Sequence, residues 1–469
     1  MVNRLQTITA RVVKLEPPRP SDPRATAKAG LALVQTLARR VRLAGEIERE
    51  LPARKDPTQG FTVSAVLLSL IHGLLSGGRG FSATEPLRGD GPLLALLGLE
   101  RAPSAETVEQ VIKYLAGEQS GREGMGRLLR RNARRLIERT PRRELTIEGD
   151  FVPVWGDGSL AEVQGRCFDA IKTIDGERGQ LVAGVFVGPY ATGLTVAGEG
   201  EGEQRAVRGL LEPTVAEVLR PCKLLGKTLF LLDSLYGDGP TLEQLEKYCD
   251  NSNDKCGAHF IVGANKLATA QAVMAELPEC CWRDTGEPRR RGWAASAVAT
   301  AWLQCEEWSR KRLLVCRRWR NEGELFWNYA AVLTDLRADE PRIARRMRQG
   351  RVGLEEVVWA LYSRKQGLEN QWKELLSDLG LHHPPCAKAR VNAIFYGVAA
   401  LAYNLAVGVR LIGLEGPERC LRLWRLRRDW FDVAGRVARH GRQVVVRLLA
   451  ACGERIDRLL AAMGRLARC

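Results

Sequence analysis

With 469 residues, the chain is long enough for two or three domains with cores of their own. It carries 71 lysines and arginines against 55 acids, a formal charge of +16 that suits a phosphate-backbone partner, because each neutralised phosphate releases condensed counterions. The 12 cysteines are scattered and no charged-then-apolar leader opens the chain, which argues against a disulfide framework and for reduced cytosolic thiols.

Residues 1–24 are polar and rich in proline (Pro17, Pro18, Pro20, Pro23) and are expected to form a flexible arm. Residues 25–143 follow a helical period. Within them Ala25–Leu51 is amphipathic, Val63–Leu75 is strongly apolar, and Ser104 opens a helix as its cap. The last helix of this region carries Arg130, Arg131, Arg134, Arg135 and Arg139, followed by Arg142 and Arg143. So many cations on one short helix are read as a DNA-binding face, with a solvated helix face as the alternative.

Residues 144–264 change period from 3.6 to 2. Leu145–Trp155, Cys167–Ile174 and Leu181–Val187 read as three consecutive strands, followed by a helix over 202–219. The strand Lys227–Asp233, a helix from Thr241 and the short strand His259–Gly263 complete this part. Residues 265–345 hold Trp282, Trp293, Trp302, Trp308, Trp319 and Trp327 among strand-like runs, and are expected to form an inserted β domain. Cys249, Cys256, His259, Cys280 and Cys281 lack the paired spacing of a reliable zinc site. Residues 346–412 return to helix. Val391–Val409 has no formal charge and approaches membrane-spanning length, but it contains Asn392, Tyr396, Tyr403 and Asn404, so a buried core helix is expected. Residues 413–469 are read as a basic helical C-terminal region, rich in Arg422, Arg425, Arg427, Arg428, Arg436, Arg439, Arg442 and Arg447.

Three acids stand out against this background. Asp233 follows four apolar residues and precedes a turn-forming run, which puts a carboxylate at the C-terminal edge of a strand; an Asx cap of the next helix is the alternative. Glu369 shares one helical face with Tyr362, Lys365 and Lys373, so a carboxylate suited to a metal sits among cations suited to phosphates. On the first strand, Glu148 and Asp150 point to one face, and either fits a third acidic position. Asp150 is preferred, with Glu148 as the alternative and Asp157 third.

An acid on a first strand, an acid closing a later strand and a glutamate on a late helix resemble the DDE transposases of bacterial insertion sequences, in particular the insertion-sequence-4 superfamily. The resemblance covers roughly residues 60–412. It implies an α/β fold: an RNase-H-like mixed sheet interrupted by an inserted β domain, with helical N- and C-terminal regions. Family members carry a Tyr, an Arg three later, a Glu four after that and a Lys seven further on. Here Tyr362 and Glu369 keep that spacing, Lys365 replaces the Arg with Arg364 beside it, and Leu376 stands where the Lys is usual, with Lys373 one turn after the glutamate. The implied activity is cutting the element ends and joining them to target DNA in the cytoplasm, on the nucleoid. The implied metal is two Mg2+ or Mn2+ ions held by Asp150, Asp233 and Glu369. Tyr362, Arg364, Lys365 and Lys373 would hold phosphates, Trp319 or Trp327 would stack on a base, and the partners would be double-stranded DNA and a second copy of the chain. A nuclease that cuts without joining and a non-catalytic DNA-binding protein are the alternatives.

Overall fold

A computed structural model describes residues 23–54, 60–147, 149–163, 167–172, 178–197, 202–249, 257–264, 267–285, 293–306, 308–440, 443–448 and 455–469. The expected arm, apart from Pro23 and Arg24, lies outside these residues, as do Glu148 and Cys256.

In chain order the strands are β1 (Ala25–Thr26), β2 (Val152–Glu162), β3 (Ile171–Lys172), β4 (Arg178–Val187), β5 (Tyr190–Val196), β6 (Thr228–Leu232), β7 (His259–Gly263), β8 (Arg283–Asp284), β9 (Trp293–Leu303), β10 (Arg312–Asn321), β11 (Asn328–Thr334), β12 (Gly435–His440) and β13 (Gln443–Leu448). All but β1, β12 and β13 belong to one mixed sheet of order β3-β4-β2-β6-β7-β11-β10-β9-β8, with β5 also on the outer edge of β4. At its centre β2, β6 and β7 run parallel. Where they pair, Val152–Trp155, Leu229–Leu232 and Phe260–Val262 are apolar runs, as burial on both faces demands. The helix Glu203–Thr214 precedes β6, and the helix Gly239–Cys249 makes the crossover from β6 to β7.

Two sequence expectations change here. The tryptophan-rich region does not form a sheet of its own: β11 pairs antiparallel with β7 (Val332 with Gly263, Thr334 with Ile261), and β10, β9 and β8 extend the same sheet. The apolar edge of β7 would otherwise stand unpaired, and β11 covers it. Trp293 and Trp319 stack at 5.4 Å, and the guanidinium of Arg317 lies 4.7 Å from the Trp359 ring and 5.5 Å from the Trp293 ring. The C-terminal region is not wholly helical either. β12 and β13 form a hairpin that pairs with β1, because Val437 and Val444–Val446 supply β-branched residues between the arginines.

The N-terminal region is helical as read, with Ser104 Oγ accepting from the Thr107 N–H at 3.2 Å. Its helices Val63–Leu75, Ala105–Gly117 and Gln119–Ile137 surround the helix Ala389–Gly408, which also packs on β5. That central helix, continued to Gly413, is long and apolar enough to cross a membrane, yet 94% of its most apolar window is buried inside the protein. Its asparagines tie it to the sheet. Asn404 accepts from the Ala191 N–H at 2.9 Å and donates to the Ala191 carbonyl at 2.8 Å, while Asn392 donates to Gln180 Oε1 at 2.7 Å.

Asn404→Ala would leave both backbone groups of Ala191 buried without partners, at about 1–3 kcal/mol each. The expected outcome is a clear drop in the urea unfolding midpoint with an unchanged slope. A midpoint equal to wild type would show that water reaches β5.

Candidate active site

The central parallel pair positions two acids. Val152–Gly156 of β2 lie in register with Thr228–Leu232 of β6, so the next residues, Asp157 and Asp233, sit side by side at the C-terminal end of the pair. Asp233 ends the strand by accepting the Ser234 N–H through Oδ1 at 2.6 Å; its Oδ2 faces Lys365 Nζ at 3.6 Å. It therefore caps the following turn and still presents an oxygen to the site. Asp157 Oδ1 accepts the Gly158 N–H at 3.0 Å.

The two faces of β2 carry different helices, because side chains alternate along a strand. Trp155 and Asp157 face the helix Gln366–Lys373, and Gly156 and Gly158 face the helix Glu203–Thr214. On the first face, the Trp155 indole and the Gln371 amide both donate to the Gly188 carbonyl, at 3.0 and 3.3 Å. The Trp372 ring meets Phe186 edge-on at 5.7 Å and covers Gly184, the β4 neighbour of Asp157. Those contacts fix the backbone of Glu369 over the strand pair; its side chain lies outside the described residues. Just before this helix, the Tyr362 hydroxyl donates to the Leu232 carbonyl at 3.4 Å. Burial, and then the negative charges of Asp233 and Asp157, push that hydroxyl well above its ordinary pKa.

On the other face, the glycines leave room for a clamp. A Cβ on Gly158 would lie 2.4 Å from Glu203 Cδ, and one on Gly156 would lie 2.5 Å from Val207 Cγ1. Tyr236 donates to Glu203 Oε1 at 2.6 Å, Gln204 to the Leu235 carbonyl at 3.0 Å, and Arg208 to Asp238 Oδ2 at 2.6 Å. The first turns of this helix thus hold the loop that carries Asp233. Burial, together with the Glu203 and Asp233 carboxylates, pushes the Asp157 carboxyl up to about 6, against the opposing pull of Lys365 and the Gly158 N–H.

Asp150 is not brought to this site. It sits in the turn before β2, seven residues from Asp157, or roughly 23 Å at about 3.3 Å per residue. There its carboxylate is held by Arg345 and by Arg346 Nη2 at 2.8 Å. The sequence reading ended the first strand at Trp155, whereas β2 runs on to Glu162 and carries Asp157 within it. The signal that marks Asp157 is Gly156-Asp157-Gly158, small residues on the packed face and an acid on the other. Glu203 and Tyr236 had no sequence signal, since their pairing is made only by the fold.

Arg130, Arg131, Arg134 and Arg135, read as a DNA-binding face, each have a glutamate partner, with Arg131 and Arg134 still partly exposed. Arg130 is buried and paired with Glu217 at 2.9 Å, and Arg131 meets Glu50 at 3.2 Å. Arg134 pairs with Glu138 at 2.9 Å, and Arg135 binds Glu46 and the Val41 carbonyl. Arg364 and Lys373 are exposed beside the site. Among the described residues no three His, Cys, Asp or Glu side chains converge as a metal site.

The family model that matches residues 22–469 is the transposase DDE domain, group 1. The chain belongs to this family. DDE transposases in general transfer polynucleotide strands with divalent metal ions. No curated protein matches the chain. Among solved structures, it is similar to a piggyBac transposase synaptic complex with hairpin DNA, at 13% identity and a TM-score of 0.35, over 87% of this chain and 82% of that one.

The acids of this DDE transposase give it a pH signature in metal-free buffer. An unfolded aspartate ionises near 3.8, but folded Asp157 keeps its proton to about 6. Stability is therefore lost as pH rises through that window, and the cost is complete above it. Asp157→Asn is expected to melt higher than wild type above pH 6 in EDTA, with the difference shrinking towards pH 3.8. A difference independent of pH would show that Asp157 is not the crowded group.

Proposed function

We propose that this DDE transposase cuts the ends of a bacterial insertion sequence of the insertion-sequence-4 superfamily and joins them to target DNA. In this reading Asp157, not Asp150, is the first acid, with Asp233 and Glu369 as the second and third. The observation that carries it is the pair of carboxylates at the ends of adjacent parallel strands, beneath the helix of Glu369. Antiparallel β2, β4 and β5, followed by β6 and β7 parallel to β2, support an RNase-H-like core.

The donor set fits divalent cations such as Mg2+, which take hard oxygens from one or two carboxylates. Asp157 and Asp233 crowd against Glu203 with Lys365 as the nearby cation, so carboxylate charge is in excess there. Held by Asp157, Asp233 and Glu369, two such ions would supply charge relief at the attacking and leaving oxygens. The residues themselves provide position. Lys365, with Tyr362, Arg364 and Lys373, holds the phosphates beside the scissile bond. Misplacing a reacting end by about 1 Å costs on the order of 100-fold, so a strand kept for joining needs such fixed contacts. Joining two ends in one event calls for two copies of the chain on the DNA.

The test uses an oligonucleotide bearing the element end, with Mg2+. Asp157→Ala, Asp233→Ala and Glu369→Ala are each expected to abolish cleavage while retaining binding, because removing a ligand takes away several kcal/mol of charge stabilisation. Asp150→Ala is expected to cleave. Cleavage surviving in Asp157→Ala but absent from a folded Asp150→Ala would reverse the choice of first acid. A precut end incubated with supercoiled plasmid should give joined products; hydrolysed ends alone would make the protein a nuclease.

A further inference from the structure

The positive charge not consumed by internal pairs gathers elsewhere. The helix Pro341–Gly350 and its C-terminal cap carry Arg342, Arg345, Arg346, Arg348 and Arg351. Arg342 turns inward, bonded to Glu340 at 2.6 Å and lying 4.2 Å from the Phe151 ring. Arg345 and Arg346 share the single carboxylate of Asp150, which is itself nearly buried. Arg348 and Arg351 are exposed and have no carboxylate partner among the described residues. Arg345 and Arg348 are three apart and so lie on one side of the helix, and Arg351 follows in the left-handed conformation that ends it. Beside them a cleft of about 810 Å³ is lined by Asp150, Arg345, Arg346, Gln349, Gly350 and Glu356, among others. Glu356, with Glu355, is already bound by Arg283 at 2.5 and 2.8 Å, and Asp150 by Arg345 and Arg346, so the charge left over on this helix is that of Arg348 and Arg351.

We propose that this arginine face binds the phosphate backbone of duplex DNA, as a second contact remote from the acids. The inference rests on the transposase reading for the identity of the polyanion. Guanidinium groups suit phosphate because their planar forks donate paired hydrogen bonds, and arginine stays charged at any working pH. The contrast with the helix Gln119–Ile137 favours this location: there Arg130, Arg131, Arg134 and Arg135 each have a glutamate partner, whereas Arg348 and Arg351 have none among the described residues. Asp150, which Arg345 and Arg346 hold, lies before the N-terminal end of β2, roughly 23 Å from Asp157 by strand length.

The experiment measures affinity of the full chain for a duplex of about 30 base pairs, long enough to cover both sites, across a salt series. Arg348→Ala/Arg351→Ala is expected to weaken binding and to lower the log–log salt slope by about 0.9 for each phosphate that is no longer neutralised. Neither side chain has an ion-pair partner among the described residues, so the melting temperature should match wild type. A duplex cut to about four base pairs beyond the scissile end, too short to reach the face at about 3.4 Å per pair, should bind wild type and variant alike. Adding Arg345→Ala should deepen the effect while Arg346 still holds Asp150. An unchanged slope in a folded variant that still cleaves ends would overturn this surface and leave the transposase reading standing. A wild type that binds no duplex would overturn both.

Discussion

The parallel register of β2 against β6 is the constraint on which the candidate site depends. It fixes Gly156 opposite Leu232, and so sets the next two residues, Asp157 and Asp233, side by side. Burial is the main reason that the Asp157 carboxyl holds its proton to about 6, and the neighbouring carboxylates of Glu203 and Asp233 add to it. The strain is local and is contained by two helices. One reaches Gly184 through Trp372 and Gly188 through Gln371; the other presses Glu203 against Gly158 and holds Tyr236. Glycine at 156 and 158 is the condition for the second contact, since any side chain there would meet that helix.

Charge in this protein serves two purposes that composition cannot separate. Part of the arginine excess is structural. Arg130 reaches Glu217, Arg135 reaches Glu46, and Arg410 pairs with Glu374 in a buried contact at 2.9 Å. Removing one partner of such a buried pair leaves an uncompensated charge, so these arginines bear on folding before they bear on any ligand. Arg345, Arg348 and Arg351 at the helix Pro341–Gly350, and Arg364 and Lys373 beside the site, are exposed. The exposed group is placed to meet a polyanion.

The central helix shows the same division in apolar form. Its composition alone fits a membrane as well as a core. Asn392 and Asn404 decide between them, because each has its side chain bonded within the fold, to Gln180 and Ala191. A polar group buried without a partner is costly, and here the partners are supplied by β4 and β5.

Much of this was legible in the residues. Helical periods in the N-terminal region, the strand ending at Asp233, the cap at Ser104 and the buried helix near 391–409 are local patterns, encoded within a few residues of each position. The placement of Asp233 and the helix of Glu369 followed from such patterns too. The choice of Asp157 over Asp150 did not, because it turns on how far β2 continues and on its register with a strand over seventy residues away. Nor did the sheet formed by β7 and β11, the hairpin β12–β13 packed on β1, or the glutamate partners of Arg130, Arg131 and Arg135. Sequence period sets which face of an element is apolar and where a charge can stand. Which carboxylate meets which cation, and which strand edge is covered, is set by contacts between distant segments, and those exist only once the chain has folded.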